Sequence, residues 1–186
     1  EIDPRYFRPN EVDVLLGDER WVPCDDPSSN ARMFRETLMA DLPGSKACLH
    51  AVPTQLASPE QGAAAYAELL QQLCGDFPPV LDVVLLGLGD DGHTASLFPG
   101  TAAPGVRDRS VTLGEGKGLP RVSLTAPTLS SARRVVFLVS GPGKVQALQR
   151  LLDPEESPLR TPAKLVQPAS EVLIFADQAA AAGVGQ

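Results

Sequence analysis

The stretch that most constrains the fold is Val80 to Gly100, which reads VLDVVLLGLGDDGHTASLFPG. Its first part, Val83–Leu86, is an apolar run without polar alternation, a pattern typical of a strand buried on both faces of a parallel sheet. A glycine-rich turn follows, and it carries Asp91 and His93. Ligands of open α/β sheets bind at the carboxyl ends of the strands. The sequence therefore predicts that this turn belongs to a functional site.

The same turn has the GxGxxG spacing of a dinucleotide fingerprint, at Gly87, Gly89 and Gly92. We reject the nucleotide interpretation, because carboxylates within the turn would repel a pyrophosphate and because Pro99 cuts short the predicted helix Thr94–Phe98. The glycines are instead interpreted as positions where the backbone turns sharply and approaches a ligand closely.

Elsewhere the chain alternates between strand and helix patterns. Strands are predicted at Val12–Leu16, Leu49–Val52, Arg121–Thr125, Val135–Val139 and Val172–Phe175. Helices are predicted at Ala31–Leu42, after the capping box Ser58–Gln61 and at Val145–Leu152, with a helical turn at Thr128–Ala132. Loops are predicted at Glu1–Asn10 and Thr101–Leu119, and Gly114–Gly118 within the second loop is interpreted as flexible. This alternation predicts an α/β fold with an open, mostly parallel, Rossmann-like sheet and helices on both faces.

Charge and cysteine content limit the partners and the compartment. The net charge of −7 argues against a nucleic-acid surface, although a few local cations suffice to hold a small anion. Cys24, Cys48 and Cys74 form an odd set without a CxxC pair, which favours free thiols in a reducing cytoplasm. No apolar run is long enough to span a bilayer, so no membrane partner is predicted.

His93 is the strongest catalytic candidate, because a histidine titrates near neutral pH and suits general base catalysis. His50 lies near a weak strand without such a context and is interpreted as structural. Asp90, Asp91 and His93 are too close together and too rich in carboxylates for a typical metal site. We therefore predict neither a metal nor a cofactor.

Two cations follow predicted strands. Arg20 lies in the segment Gly17–Pro23 and suits an anion clamp, since a guanidinium holds a phosphate bidentately, but a weak surface ion pair is the alternative. Lys144 ends the turn Gly141–Lys144 before a helix, where a single phosphate could bind. This turn is not a P-loop, because Leu138 and Val145 replace the required glycine and hydroxyl residue.

Two motifs resemble the 6-phosphogluconolactonase family. They are GDERWVP at Gly17–Pro23 and GLGDDGHTASLFPG at Gly87–Gly100, and the segments Arg121–Thr125 and Gly141–Lys144 follow in the family's order. The resemblance implies a fold shared with glucosamine-6-phosphate deaminase and ribose-5-phosphate isomerase. It implies metal-free hydrolysis of 6-phospho-D-glucono-1,5-lactone to 6-phospho-D-gluconate, the second step of the pentose phosphate pathway.

The resemblance also implies roles for individual residues. His93 would activate water, and Arg20 and Lys144 would bind the substrate. The chemistry of the residues themselves predicts that Asp91 fixes the loop or orients His93. The tetrahedral intermediate needs hydrogen-bond donors, which Arg20 or the loop N–H groups near Gly89 and Gly92 could supply. The expected partner is a sugar-phosphate lactone, and the expected state is a monomer or weak homo-oligomer.

One family feature is not matched, namely an N-terminal strand with a Ser-Gly-Gly-x-Thr-Pro loop that cradles the phosphate. We therefore expect residues 1–186 to form a single lactonase-like α/β domain that lacks its N-terminal strand–loop–helix unit. About 40–60 further residues, roughly one βαβ-type unit, are expected upstream.

Two other functions stay open at this point. A sugar-phosphate deaminase or isomerase would need an additional acid or base near His93, and no glutamate follows soon after it. A non-catalytic sugar-phosphate sensor would carry a DNA-binding helix-turn-helix, and none is visible in the sequence.

Overall fold

The computed structural model describes residues 12–40 and 47–184. The strands are β1 (Asp13–Leu15), β2 (Asp18–Arg20), β3 (Cys48–His50), β4 (Val83–Gly87), β5 (Val111–Gly116), β6 (Leu119–Leu124), β7 (Arg134–Val139) and β8 (Val172–Ala176). The α-helices are α1 (Asn30–Phe34), α2 (Pro59–Cys74), α3 (Ala126–Ser130) and α4 (Val145–Leu152). The predicted strands and the helix at 145–152 are confirmed to within two residues or so.

The strands form three sheets. A parallel sheet has the order β4-β7-β8, a second parallel pair joins β1 to β3, and an antiparallel sheet has the order β2-β6-β5. The α/β class and the parallel pairing are confirmed. The antiparallel sheet was not predicted, since Asp18–Arg20 was assigned only as residues after a strand.

The segment Gly114–Gly118 is a β-hairpin, so its prediction as a flexible loop is wrong, and 101–119 is not irregular throughout. Lys117 and Gly118 have φ of +55° and +79°, the conformation of a primed two-residue hairpin turn. A Cβ on Gly114 would lie 2.8 Å from the Ser96 carbonyl oxygen. Gly114 and Gly116 therefore allow close packing against the turn at Ser96 and Phe98, and Gly118 supplies the positive φ of the hairpin turn. Composition alone does not distinguish these uses of glycine from flexibility.

The prediction that β4 is buried on both faces is wrong for the described residues. Val84 and Leu86 are buried, but Val83 and Leu85 are 56% and 64% exposed. Within 12–40 and 47–184, β4 pairs only with β7, and β1 lies in a different sheet, so the strands ending near Leu16, Leu86 and Val139 do not share one sheet. An apolar run shows that a strand suits burial, but it does not show what covers it.

The helices differ from prediction mainly at their ends. Ser29 caps α1 by accepting a hydrogen bond from the Arg32 N–H, and a π-helical segment, Arg35–Met39, continues α1. The predicted helix end at Leu42 and the loop at Glu1–Asn10 lie outside the described residues. Within those residues, no helix has the length and apolar character needed to cross a membrane.

Helix α2 follows its prediction closely and fixes the end of β1. Ser58 caps it through the Gln61 N–H, and Gly75 ends it with φ of +86°. Tyr66 of α2 is buried, and its hydroxyl accepts a hydrogen bond from the Leu16 N–H and donates one to the Leu16 carbonyl. Burial raises the pKa of Tyr66 far above its ordinary value, so the hydroxyl stays protonated and can donate.

Candidate active site

A cleft of about 260 Å³ lies where the parallel sheet β4-β7-β8 meets the antiparallel sheet. Its lining comprises Asp18, Arg20, Asn30, Gly87, Leu88, Gly89, His93, Ala95, Lys117, Arg121 and Lys144. Among the described residues, four cations and a single carboxylate therefore line the cleft, in a chain whose net charge is −7. Such a local excess of positive charge suits a small anionic ligand.

The loop after β4 brings His93 into this cleft. The Gly89 N–H donates to the His93 carbonyl at 2.8 Å, and the Gly92 N–H donates to the Gly89 carbonyl at 3.0 Å. The Thr94 hydroxyl donates back to the Gly87 carbonyl at 2.8 Å. The loop is thus closed by its own hydrogen bonds, and the Ala163 N–H adds one from outside it, to the Gly92 carbonyl at 3.0 Å.

The predicted helix at Thr94–Phe98 is wrong. Thr94 and Leu97 form an isolated antiparallel bridge, and Ala95 between them has φ of +48°. The polar groups of this turn bind other segments instead of continuing a helix. The Ser96 N–H, for example, donates to the Ser123 hydroxyl at 3.1 Å.

Asp91 orients the His93 imidazole. One carboxylate oxygen, Oδ1, lies 3.0 Å from the His93 backbone nitrogen and 2.5 Å from ring Nδ1. Partial burial alone would raise the pKa of Asp91, but the hydrogen bonds from His93 and its charge outweigh this and lower the pKa. An ionised carboxylate only accepts, so Nδ1 carries the proton. Nε2, which has no partner among the described residues, is then left as the basic nitrogen.

The glycines of the loop have different roles. Gly89 lines the cleft, and a Cβ there would lie 2.0 Å from the His93 Nδ1 atom, so only glycine lets the imidazole lie against the backbone. Gly92 is buried with φ of +90°, packs against Thr161 and is not in the lining. The N–H groups of both glycines bond within the loop.

Arg20 projects into the cleft from β2. Its Nη1 donates to the Ser28 carbonyl and to the Asn30 side-chain oxygen, each at 2.8 Å, while its Nε is buried without a partner among the described residues. Glu19 does not pair with this guanidinium. Its buried carboxylate accepts from the Asn30 and Ala31 N–H groups at the start of α1. Asp18 pairs with Arg121 instead, so Arg20 forms no ion pair within residues 12–40 and 47–184, and the alternative proposed for it is not seen there.

Sequence reasoning missed Arg121 and the residue that holds it. Arg121 is 6% exposed, and its Nη1 lies 3.4 Å from Asp18 Oδ2, which also accepts from the Ser96 hydroxyl at 2.6 Å. Its guanidinium carbon lies 5.3 Å from the centre of the Phe98 ring, whose centre is 4.2 Å from that of His93. Arginine at a buried strand position was the available signal.

Lys117 and Asn30 were also missed as site residues. Lys117 reaches the cleft because it forms the tip of the β5–β6 hairpin, a turn that was taken for a loop. Asn30 follows the helix cap, and its amide nitrogen donates to the Asp18 carbonyl at 2.8 Å. A turn residue and a capping position are common in sequences and carry no functional signal alone.

Lys144 completes the cleft from the start of α4. The turn before it contains Gly141 with φ of +93°, and the Lys144 N–H donates to the Gly141 carbonyl at 3.1 Å. The Lys144 side-chain amine lines the cleft and has no hydrogen-bond or ion-pair partner among residues 12–40 and 47–184. Further along α4, Arg150 donates to the Asp90 carbonyl at 3.1 Å. The helix that carries Lys144 is therefore tied to the loop that carries His93.

The described residues contain one group whose side chains could hold a metal ion, and it lies outside the cleft. Asp13, Cys48 and His50 place their ligand atoms within 4.8 Å of one another. His50 Nε2 lies 2.7 Å from Asp13 Oδ1, so the residue interpreted as structural does bridge two strands. The lining of the cleft contains no comparable group in the described part of the chain.

This fold and site define an α/β protein with an electropositive cleft that carries a histidine–aspartate pair. The sequence profile of the glucosamine-6-phosphate isomerases/6-phosphogluconolactonase family matches residues 3–175. The 6-phosphogluconolactonase of Synechocystis is 45% identical over 174 residues, which are 91% of this chain and 72% of that protein. This chain therefore belongs to the glucosamine-6-phosphate isomerase/6-phosphogluconolactonase family.

Solved structures agree with this assignment. The 6-phosphogluconolactonase of Trypanosoma brucei matches 91% of this chain and 73% of its own, with a TM-score of 0.78 and 31% identity. A monomeric glucosamine-6-phosphate deaminase matches 90% of this chain and 73% of its own, with a TM-score of 0.73 at 22% identity, which shows the common fold. The fold shared with these deaminases, implied by the resemblance, is thereby confirmed.

Proposed function

We propose that this chain hydrolyses 6-phospho-D-glucono-1,5-lactone to 6-phospho-D-gluconate, the lactonase step of the pentose phosphate pathway. One observation carries the proposal. In the part of the chain that the structure describes, a histidine with an unpartnered Nε2, oriented by an ionised aspartate, shares a small cleft with four cations. The histidine suits hydrolysis of an activated ester, and the cations suit a substrate that is already anionic.

The reaction starts with water held by His93. Nε2 removes a proton as the water oxygen attacks the lactone carbonyl carbon, and Asp91 stabilises the imidazolium that forms. When the tetrahedral intermediate collapses, the bond from the carbonyl carbon to the ring oxygen breaks. The imidazolium returns its proton to that oxygen, which leaves as a hydroxyl group. A lactone is activated enough that no nucleophilic serine or cysteine is needed.

The cations divide between the carbonyl and the phosphate. Arg20 is proposed to meet the developing oxyanion, since its guanidinium is positioned by Ser28 and Asn30 while its buried Nε has no partner in the described chain. Lys144 and Lys117 have no ion-pair partners there and are proposed to hold the phosphate. Gly89 and Gly92 then act by shaping the loop, because their N–H groups are already bonded.

The deciding experiment is turnover of the phosphorylated lactone by the full chain, with spontaneous hydrolysis subtracted. We expect turnover that His93→Asn lowers by at least about 10²-fold and that chelator leaves unchanged, since no step uses a metal. Unphosphorylated glucono-1,5-lactone should be a poorer substrate, because it lacks the group the lysines hold. Release of ammonia from glucosamine 6-phosphate, or binding of the lactone without turnover, would instead support a deaminase or a sensor.

We also propose that the chain works in the cytoplasm as a monomer or weak homo-oligomer, without nucleic acid. Cys24, Cys48 and Cys74 are all free thiols, as a reducing compartment would keep them. Size-exclusion chromatography with light scattering tests the oligomeric state, and a stable assembly larger than a dimer would contradict it.

A further inference from the structure

A second cluster of reactive side chains lies on the parallel pair β1 and β3. Asp13 is the register partner of Cys48, and His50 lies two residues further along β3. Residues two apart on a strand share a face, so all three side chains are on the same face of this pair. Their ligand atoms lie within 4.8 Å of one another.

The chemistry of these three donors is selective. A thiolate, an imidazole and a carboxylate together suit zinc and similar transition metals, whereas Mg²⁺ and Ca²⁺ prefer oxygen ligands. The thiolate and carboxylate charges would neutralise a divalent ion with a neutral imidazole. Bonds of about 2.0–2.3 Å to a tetrahedral zinc ion bring ligand atoms roughly 3.3–3.6 Å apart. Small rotations of the side chains therefore close the site.

The exposure of two of the three side chains allows the rotations that would bring the three ligand atoms together. Asp13 and Cys48 are exposed, so an ion can reach them from solvent and their side chains can rotate. His50 Nε2 already lies 2.7 Å from Asp13 Oδ1, and a metal ion would replace the proton shared between them. Without an ion, such a half-exposed pair contributes little to stability.

We propose that Asp13, Cys48 and His50 bind one zinc-class divalent cation, with solvent as the fourth ligand. The ion would join β1 to β3 side by side. It would act on stability and not on turnover, because none of the three residues lines the cleft. The site is separate from the proposed chemistry of His93.

The test uses the full chain, reduced with a phosphine and freed of metal by chelation and desalting. Titration with Co²⁺ should produce a thiolate-to-cobalt charge-transfer band in the near ultraviolet at one ion per chain. Zn²⁺ should then displace the cobalt, as the usual affinity order predicts. Zn²⁺ should also raise the thermal unfolding midpoint. Neither readout depends on lactone turnover.

Variants decide whether these three residues are the ligands. Mutating a residue that only hydrogen-bonds to a metal ligand typically lowers metal affinity by about 10–100-fold. Loss of a ligand itself, in Cys48→Ser or His50→Gln, should therefore weaken zinc binding by at least about tenfold. Cys48→Ser should also abolish the charge-transfer band. Cys24→Ser is the matched control, since Cys24 is an equally exposed free thiol outside the cluster, and it should bind as wild type.

The opposite results would overturn the site. If no charge-transfer band appears, or if Cys48→Ser binds zinc as tightly as wild type, these residues do not form it. Equal weakening by Cys24→Ser would likewise show that binding is adventitious. Circular dichroism of each variant establishes that the fold is retained.

Discussion

The two walls of the cleft are built in different ways. On one wall, His93 is placed by its own loop, through hydrogen bonds among Gly87, Gly89 and Asp91, all within six residues of it. On the other wall, Arg121 is held by a residue far away in the chain, whereas Arg20 is held by Ser28 and Asn30 nearby. Asp18 reaches Ser96 across 78 residues and Arg121 across 103.

We call the wall that carries His93 the local wall, because neighbours in the sequence build it, and the wall that carries Arg20 and Arg121 the tertiary wall, because chain folding brings its parts together. The His93 wall needs only a short motif and a strand to present it, so a sequence can reveal it. The Arg20 and Arg121 wall exists only after β2 pairs with β6 in the antiparallel sheet. We therefore expect changes in the first wall to act mainly on the chemical step. Changes in the second wall should act on the binding of the anion and, at Arg20, also on the stabilisation of the developing oxyanion.

The largest effect is expected for His93→Asn, which removes the base from the local wall. A general base contributes about 10²–10⁴-fold, so kcat should fall by at least about 10²-fold. KM should stay within a few-fold, because the cations remain. Steady-state kinetics, corrected for spontaneous hydrolysis, measure both. A kcat near wild type would remove His93 from the mechanism.

Arg20→Ala and Lys144→Ala test the division of labour among the cations. Loss of one oxyanion donor typically lowers kcat about 10²–10³-fold, and Arg20→Ala should approach the lower value with some rise in KM. Lys144→Ala should mainly raise KM, because a group that holds the phosphate stabilises ground and transition states alike. If neither variant changes kcat/KM, the anion site is misplaced.

Gly89→Ala tests whether the position of the His93 imidazole depends on the close approach of the Gly89 backbone. The added Cβ would lie 2.0 Å from His93 Nδ1 and must displace the imidazole. A displacement of about 1 Å can cost up to 10²-fold, so we expect kcat to fall by about tenfold or more. Gly105→Ala is the control, since a Cβ there meets nothing within 4 Å. Equal activity of the two variants would show that the loop yields.

Asp18→Asn tests the tertiary wall with a smaller change. The neutral amide keeps the shape of the side chain but weakens its contacts to Ser96 and Arg121. A hydrogen bond contributes about 0.5–1.5 kcal/mol net, which corresponds to a roughly two- to tenfold change in an equilibrium or rate constant. We expect that loss in kcat/KM, mostly through KM. Asp108→Asn, which alters an exposed pair with Arg109, should be silent. A fall confined to kcat would mean that Asp18 acts on the chemistry.

The smallest effect is expected for Asp91 in acid. Its pKa lies below the ordinary value of 3.8, so its contribution to stability is present at neutral pH and is lost as the pH falls below about 3.8 through the folded-state pKa. Asp91 is 41% exposed, so screening limits this to less than about 1 kcal/mol. The melting temperatures of wild type and Asp91→Asn should differ at pH 5–7, and the difference should shrink as the pH falls below about 3.8. Curves that stay parallel would contradict the pairing.

The sequence by itself determined the local wall, the α/β class and most element positions. Each depends on residues close together in the chain, such as the apolar run of β4, the Ser58 cap of α2 and the glycines around His93. The motifs at Gly17–Pro23 and Gly87–Gly100 also indicated the family correctly. Such features can be predicted from the sequence because the residues that cause them lie within a few positions of one another.

Only the tertiary structure decided how the rest is used. The glycines of Gly114–Gly118 looked flexible, but they let a hairpin pack on the turn at Ser96, which brings Lys117 and Arg121 to the cleft. The exposure of Val83 and Leu85 likewise depends on what covers the sheet, not on their own apolarity. Residues that contact each other across 78 or 103 positions form no recognisable sequence motif, because only chain folding brings them together.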